Sequence, residues 1–167
     1  FGKNGIGLST NARDVLVVVG QKGKTWFVTN MLDNMMHYEL TRSGLSAICM
    51  TFAVDYQRIT EPSQGYDRFI NGLTSMDEQL ARSNMKRALN LADIRAAHAV
   101  GTPTVIQSVE GAHFLEGRVA RVEEAYRRGL RHLGLLHDSD ASVPLGDVYT
   151  NPATLGGLTA LGADVIR

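Results

Sequence analysis

An excess of charge of either sign is missing from this chain: seventeen basic residues balance seventeen acidic ones. A surface without a basic surplus offers no counterion-releasing face to nucleic acid and no pull toward an anionic bilayer. Aromatic residues are few, 7% of the total, and scattered, which removes the stacking platform that single-stranded nucleic acid needs. No apolar run approaches the roughly 18 residues required to span a bilayer. There is one cysteine, Cys49, so an intrachain disulfide is excluded and no Cys/His spacing suggests a structural zinc. Within the apolar run 45–54 it reads as a buried, inert thiol, which fits a reduced, cytoplasmic setting. Residues 1–13 are rich in Gly, Asn and Ser and read as a flexible arm without the apolar block of an export signal. The chain starts at Phe1 rather than Met, which leaves room for a signal removed upstream. No Pro- or Ser-rich linker divides residues 14–167, which read as a single domain.

What is present is an alternation of apolar and amphipathic text. The β-branched run 15–19 reads as a strand buried on both faces. Residues 29–42 set Met31, Leu32, Met35, Met36 and Leu40 near helical spacing, with a stop at Ser43-Gly44. A second strand is expected at 45–54. Helical text follows from 66 to 90, lined by Phe69, Ile70, Leu73, Met76, Leu80 and Leu89, and then a short helix runs from Asp93 to the Gly101 stop. Residues 104–109 form a third strand that ends at Glu110. An amphipathic helix at 117–128 carries Val119, Val122 and Tyr126, and a fourth strand at 132–136 ends at His137. A polar loop reaches Gly157, and a last helix starts near Leu158. Strand and helix alternating four times is the pattern of a parallel α/β fold.

In such folds functional side chains stand at the C-terminal ends of strands. Glu110 closes the third strand, where an unpaired carboxylate on an apolar run is costly and a bound cation would remove that cost. A solvated or arginine-paired glutamate is the plain alternative. His137 closes the fourth strand, where an imidazole can bind metal or stabilise a developing oxyanion; a hydrogen-bonded strand-end histidine is the alternative. His113, three residues past Glu110, suits a supporting position. His132 lies at the N-terminal end of its strand, and His37 and His98 fall on helical text and read as surface residues.

The order of these segments is familiar. Val109-Glu110-Gly111-Ala112-His113, the helix from Arg118 to Gly129, and Leu130-Arg131-His132-Leu133-Gly134-Leu135-Leu136-His137 together resemble the membrane (renal) dipeptidase family. So do Ala92-Asp93-Ile94-Arg95-Ala96-Ala97 before the third strand and the run from Gly156 to Arg167. The likeness covers about residues 44–167. It implies half of a TIM (β/α)8 barrel, here the N-terminal (β/α)4 portion, because 167 residues fall short of the roughly 250 of a whole barrel. It further implies a zinc metallopeptidase in which two divalent ions serve hydrolysis of dipeptides. Glu110 matches the carboxylate that bridges the metals, and His137 matches the histidine that contacts the scissile carbonyl, as both catalytic and substrate-binding residue. A dipeptide or small amide is the implied substrate. The remaining half of the barrel, or a second copy, is the implied protein partner.

The family's first strand ends in a His-x-Asp pair, and this chain contains none; His37-Tyr38-Glu39 is the nearest arrangement and sits on helical text. Its later metal histidines would lie beyond Arg167. Two other readings follow from the residues. A metal-free, non-catalytic barrel homologue accounts for the missing pair. A nucleotide-binding protein is suggested by Gly20-Gln21-Lys22-Gly23-Lys24-Thr25 after a β-branched run, although Val18 stands where the phosphate-loop pattern requires glycine. No residue is nominated for nucleotide binding.

Overall fold

A computed structural model describes residues 6–8, 16–18, 27–28, 40–55 and 58–167. Seven strands are described: β1 (Ile6–Leu8), β2 (Leu16–Val18), β3 (Phe27–Val28), β4 (Ala47–Ala53), β5 (Lys86–Arg87), β6 (Thr104–Glu110) and β7 (His132–Gly134). With them go the helices α1 (Gln64–Arg82), α2 (Leu91–Val100), α3 (Ala120–Arg127) and α4 (Ala160–Ile166), and residues 40–43 are helical as well. The chain divides into two compact units, residues 1–51 with 74–107 and residues 52–73 with 108–167.

The first unit holds the parallel sheet, in the order β3-β4-β6-β5. Phe27 and Val28 pair with Cys49 and Met50, and Lys86 and Arg87 pair with Thr104 and Val105, all parallel. The expected strand at 15–19 is present as β2, but it lies outside this sheet, antiparallel to β1. A β-branched run specifies strand, not partner. Ile6–Leu8 therefore falls in the segment read as an arm. The phosphate-loop-like residues Gly20 to Thr25, and His37, lie outside the described residues.

The helical text from 66 to 90 stops early. Helix α1 closes at Arg82, Asn84 takes a left-handed φ of 50°, and the two-residue β5 follows. Leu89, counted on the helix's apolar side, is 40% exposed. Helix α2 has no buried residue and is held by its ends. Asn90 Oδ1 accepts from Asp93 N at 3.1 Å, while Asp93 Oδ2 accepts from Leu89 N and Asn90 N at 2.7 and 3.1 Å. This reciprocal box satisfies donors that a helix start leaves open. Cys49 is half-buried, and burial pushes its thiol up, away from nucleophilic thiolate.

Gln107, fully buried in β6, would be costly without partners. It donates to Asp77 Oδ1 at 2.8 Å and accepts from Arg87 Nη1 at 3.1 Å, and Arg87 also meets Asp77 at 3.1 Å.

In the second unit the end of β6 pairs with β7, Ser108 to His132 through Glu110 to Gly134, again parallel. Its core is centred on Phe69 of α1 and Phe114 of the 3-10 turn Ala112–Leu115. Both rings are inaccessible to solvent and stack at 4.0 Å between centroids, 12° from coplanar. Among the described residues, no helix is long and apolar enough to cross a membrane.

Loss of a fully buried stacked ring leaves a cavity that its neighbours fill only in part. Phe69→Ala is expected to lower stability by about 3–5 kcal/mol, measured as a fall in the urea unfolding midpoint; a change within about 1 kcal/mol would show that this stack is not the centre of the core.

Candidate functional site

Three acidic or imidazole side chains stand just past C-terminal strand ends of the second unit: Asp55 beyond β4, Glu110 at the last residue of β6, and His137 beyond β7. Backbone pairing sets their spacing. Val54 N donates to Glu110 O at 3.0 Å, which locks the residue before Asp55 to Glu110. Gly111 N donates to Gly134 O at 3.0 Å and Ala112 N to Leu135 O at 3.1 Å, so the chain leading to His137 is fixed to the chain leaving Glu110.

The side chains then form a line. His137 Nδ1 lies 2.6 Å from Asp55 Oδ1, and His137 Nε2 lies 3.1 Å from Glu110 Oε2. Side-chain exposure rises along it, from 0% at Asp55 through 25% at His137 to 38% at Glu110. The Asp55 end is therefore closed and the Glu110 end open to solvent. An ionised carboxylate only accepts hydrogen bonds, so each ring nitrogen serves best as a donor here. Burial opposes charge on His137, but the Asp55 hydrogen bond and the negative charges of Asp55, Glu110 and Asp138 outweigh it and hold the imidazole above its ordinary value.

Asp55 was not among the sequence candidates, and it organises the site. Its Oδ2 accepts from Ser139 N at 3.0 Å and Ser139 Oγ at 2.8 Å, and His113 Nε2 stands 3.6 Å away. Burial would raise its pKa; the hydrogen bonds from Ser139 and His137 and the nearby imidazoles of His113 and His137 bring it below the ordinary carboxylate value. The signal for it was present, since it directly follows the apolar run read as the second strand. A strand-end aspartate is ordinarily solvated, however, and nothing in one sequence distinguishes a sealed one.

His113 is 3% exposed and occupies the supporting position expected of it. Its Nε2 lies 2.9 Å from the Ser139 carbonyl oxygen, an acceptor, so Nε2 carries the proton. Nδ1 is buried and without a hydrogen-bond partner among the described residues. It rests against Gly111, where a Cβ would come within 2.5 Å of Nδ1 and where φ is +81°. His132 hydrogen-bonds Ser108 Oγ at 2.7 Å and His98 bonds Ser46 Oγ at 2.8 Å; both are exposed and stand apart from the line of Asp55, His137 and Glu110.

No arginine or lysine among the described residues pairs with Glu110; its recorded partner is His137. A half-exposed carboxylate at a strand end fits a metal ligand. A complete coordination shell is a different matter, because protein zinc sites take three or four ligands. No group of three His, Cys, Asp or Glu side chains among the described residues could hold an ion. Among the described residues Glu110 is thus a single candidate ligand and not one of a metal-holding group.

Comparison with known proteins agrees with this architecture. Residues 24–167 match the membrane dipeptidase family, peptidase family M19. A crystal structure of an amidohydrolase from Pseudomonas aeruginosa is similar in fold, with a TM-score of 0.64 and 20% identity. The similarity covers 80% of this chain and 38% of that one, so the chain spans well under half the length of that relative. The parallel strands and helices are consistent with part of a (β/α)8 barrel. None of the curated proteins matches the sequence.

Two outcomes are expected of the site itself. Asp55, with its lowered folded pKa, contributes stability present above its unfolded value of about 3.9 and lost as pH falls through the folded value. His137, raised, contributes stability fully present below about 6.5 and lost as pH rises through its folded value. Urea midpoints across the pH range should therefore peak between about 4 and 6.5, and Asp55→Ala should flatten both limbs; an unchanged profile in the variant would refute the linkage. Gly111→Ala should lower stability by about 1–3 kcal/mol from backbone strain alone, read from the same denaturation curves.

Proposed function

The chain belongs to the membrane dipeptidase family, and from that premise we propose that the complete protein is a metal-dependent hydrolase that cleaves the amide bond of dipeptides or similar small amides. The observation that supports this most directly is the pairing of Glu110 with His137 at the open end of the site. One is an acceptor-only group suited to a cation. The other presents a donor nitrogen beside it.

In this reading Glu110 contributes to holding two divalent ions, zinc by family resemblance, with the other ligands outside the described residues. When bound, such ions supply a water ionised near neutral pH and polarise the carbonyl to be attacked. His137 provides the second contribution. Its Nε2 faces the open, Glu110 side, while Nδ1 is held by Asp55 on the closed side. With both ring nitrogens protonated, as the Asp55 and Glu110 carboxylates favour, a donor so placed stabilises negative charge building on the attacked carbonyl oxygen, and removal of one such donor typically costs about 100- to 1000-fold in rate. His137 is accordingly the catalytic and substrate-contacting residue, with the rest of the barrel, or a second copy, completing the site.

A second reading, a metal-free, non-catalytic homologue of the barrel, is favoured by the sequence, which contains no His-x-Asp pair of the kind that ends the family's first strand. Fold alone does not decide between them.

Metal analysis and dipeptide turnover on the complete polypeptide separate the two. The hydrolase reading expects bound divalent metal, and Glu110→Gln is expected to lose metal and to reduce turnover by about 100-fold or more. Retained zinc with full turnover in that variant would remove Glu110 from the metal site; no metal and no turnover in the unsubstituted protein would leave the non-catalytic reading.

A further inference from the structure

We propose that Asp55 is a positioning residue for His137: its carboxylate fixes the imidazole so that Nε2, and not Nδ1, is presented at the open end of the site. This rests on the reading of His137 as the substrate-contacting residue and adds a residue that the family resemblance did not nominate.

The argument is geometric. A histidine three residues past a strand end can turn about χ1 and χ2, and the χ2 torsion is broad, so packing alone holds such a ring loosely. Asp55 removes that freedom at two points. Oδ1 takes the ring at Nδ1, 2.6 Å away, while Oδ2 takes the backbone N and the hydroxyl of Ser139, two residues further along. One carboxylate thus holds both the side chain of His137 and the main chain that carries it. Asp55 is itself placed by the Val54 N to Glu110 O hydrogen bond, and the Val54 carbonyl accepts from Arg68 Nη1 at 3.1 Å. The contacts close a ring: Glu110 backbone, Val54, Asp55, His137, and back to the Glu110 side chain at 3.1 Å. His113 supports it from behind, with Nε2 on the Ser139 carbonyl at 2.9 Å.

Full burial of the Asp55 side chain distinguishes this arrangement from a surface contact. A carboxylate sealed from water cannot exchange its partners for solvent, so its three hydrogen bonds persist together or are lost together. It is also too deep to meet a substrate at the exposed Glu110 end, so its effect passes through His137.

The test is a double-mutant cycle in the complete protein with a dipeptide substrate, joined to NMR of the histidine rings. Asp55→Ala is expected to lower kcat by about 10- to 100-fold while KM stays within about threefold. In the His137→Ala background the same substitution should cost nothing further, because its route of action is gone. If Asp55→Ala costs the same factor in both backgrounds, or moves KM and leaves kcat unchanged, the positioning role is overturned.

The NMR arm does not depend on turnover. In the unsubstituted protein the His137 Nδ1 proton should be visible and slow to exchange, and it should disappear in Asp55→Ala. If Asp55→Ala does not fold, Asp55→Asn keeps the volume and one acceptor for Ser139, and its amide faces the ring and leaves Nδ1 without a proton. Persistence of the Nδ1 proton in a folded variant overturns the proposal. Absence of turnover in the unsubstituted protein sinks the hydrolase reading instead, and the ring signal still decides whether Asp55 holds His137.

Discussion

A carboxylate sealed from water must be met by hydrogen-bond donors or it takes up a proton, because an isolated buried charge costs several kcal/mol. Asp55 is in that position, and the donors that meet it come from the segment after another strand. His137 and Ser139 follow β7, and Asp55 follows β4, so the demand of one charge ties together two loops more than eighty residues apart in sequence. His113, on the turn after β6, adds a third segment through the Ser139 carbonyl. Loops over a parallel sheet are otherwise the parts of the fold freest to vary. Here they are held by a group that cannot be left unsatisfied.

The layers beneath serve the same end. The Phe69–Phe114 stack anchors the turn that carries His113. Parallel pairing of Ser108–Glu110 with His132–Gly134 brings the end of β6 level with the start of the loop to His137. Gly111 lets the chain turn sharply between Glu110 and His113, and its missing side chain is the space into which Nδ1 of His113 fits. A Glu-Gly-x-His run is therefore more than a sequence signature. Glu110, Gly111 and His113 each have a separate steric or hydrogen-bonding reason.

Glu110 and His137 stood out in the sequence as candidates because each ends an apolar run, where a polar group needs a reason. The segment order 92–97, 109–113, 118–137 and 156–167 then pointed to a family that the match over residues 24–167 confirms. The alternating strands and helices from 45 onward followed from periodicity, except that the helical text from 66 to 90 ends at Arg82. Three things were not legible. Strand β5 is two charged residues long, Lys86 and Arg87, below the length at which alternation can be read. The run 15–19 announced a strand, but its pairing with Ile6–Leu8 depends on a partner that sequence does not specify. Asp55 obeys the strand-end rule as well as Glu110 does; what sets it apart is burial, which arises only when His113 and Ser139 are folded over it.

The division of labour between the two carboxylates follows from their exposure. Glu110, 38% exposed, gives one oxygen to His137, and an ionised carboxylate has about four lone-pair sites, so acceptor capacity beyond the imidazole contact is left over. Asp55 has its oxygens engaged by Ser139 and His137 and its side chain closed to solvent. If Glu110 alone held the ring, any new partner of that carboxylate would release His137. With Asp55 gripping Nδ1 from the closed side, the ring stays in place whatever Glu110 binds, and the open carboxylate is free to act as a ligand while Nε2 keeps its place beside it.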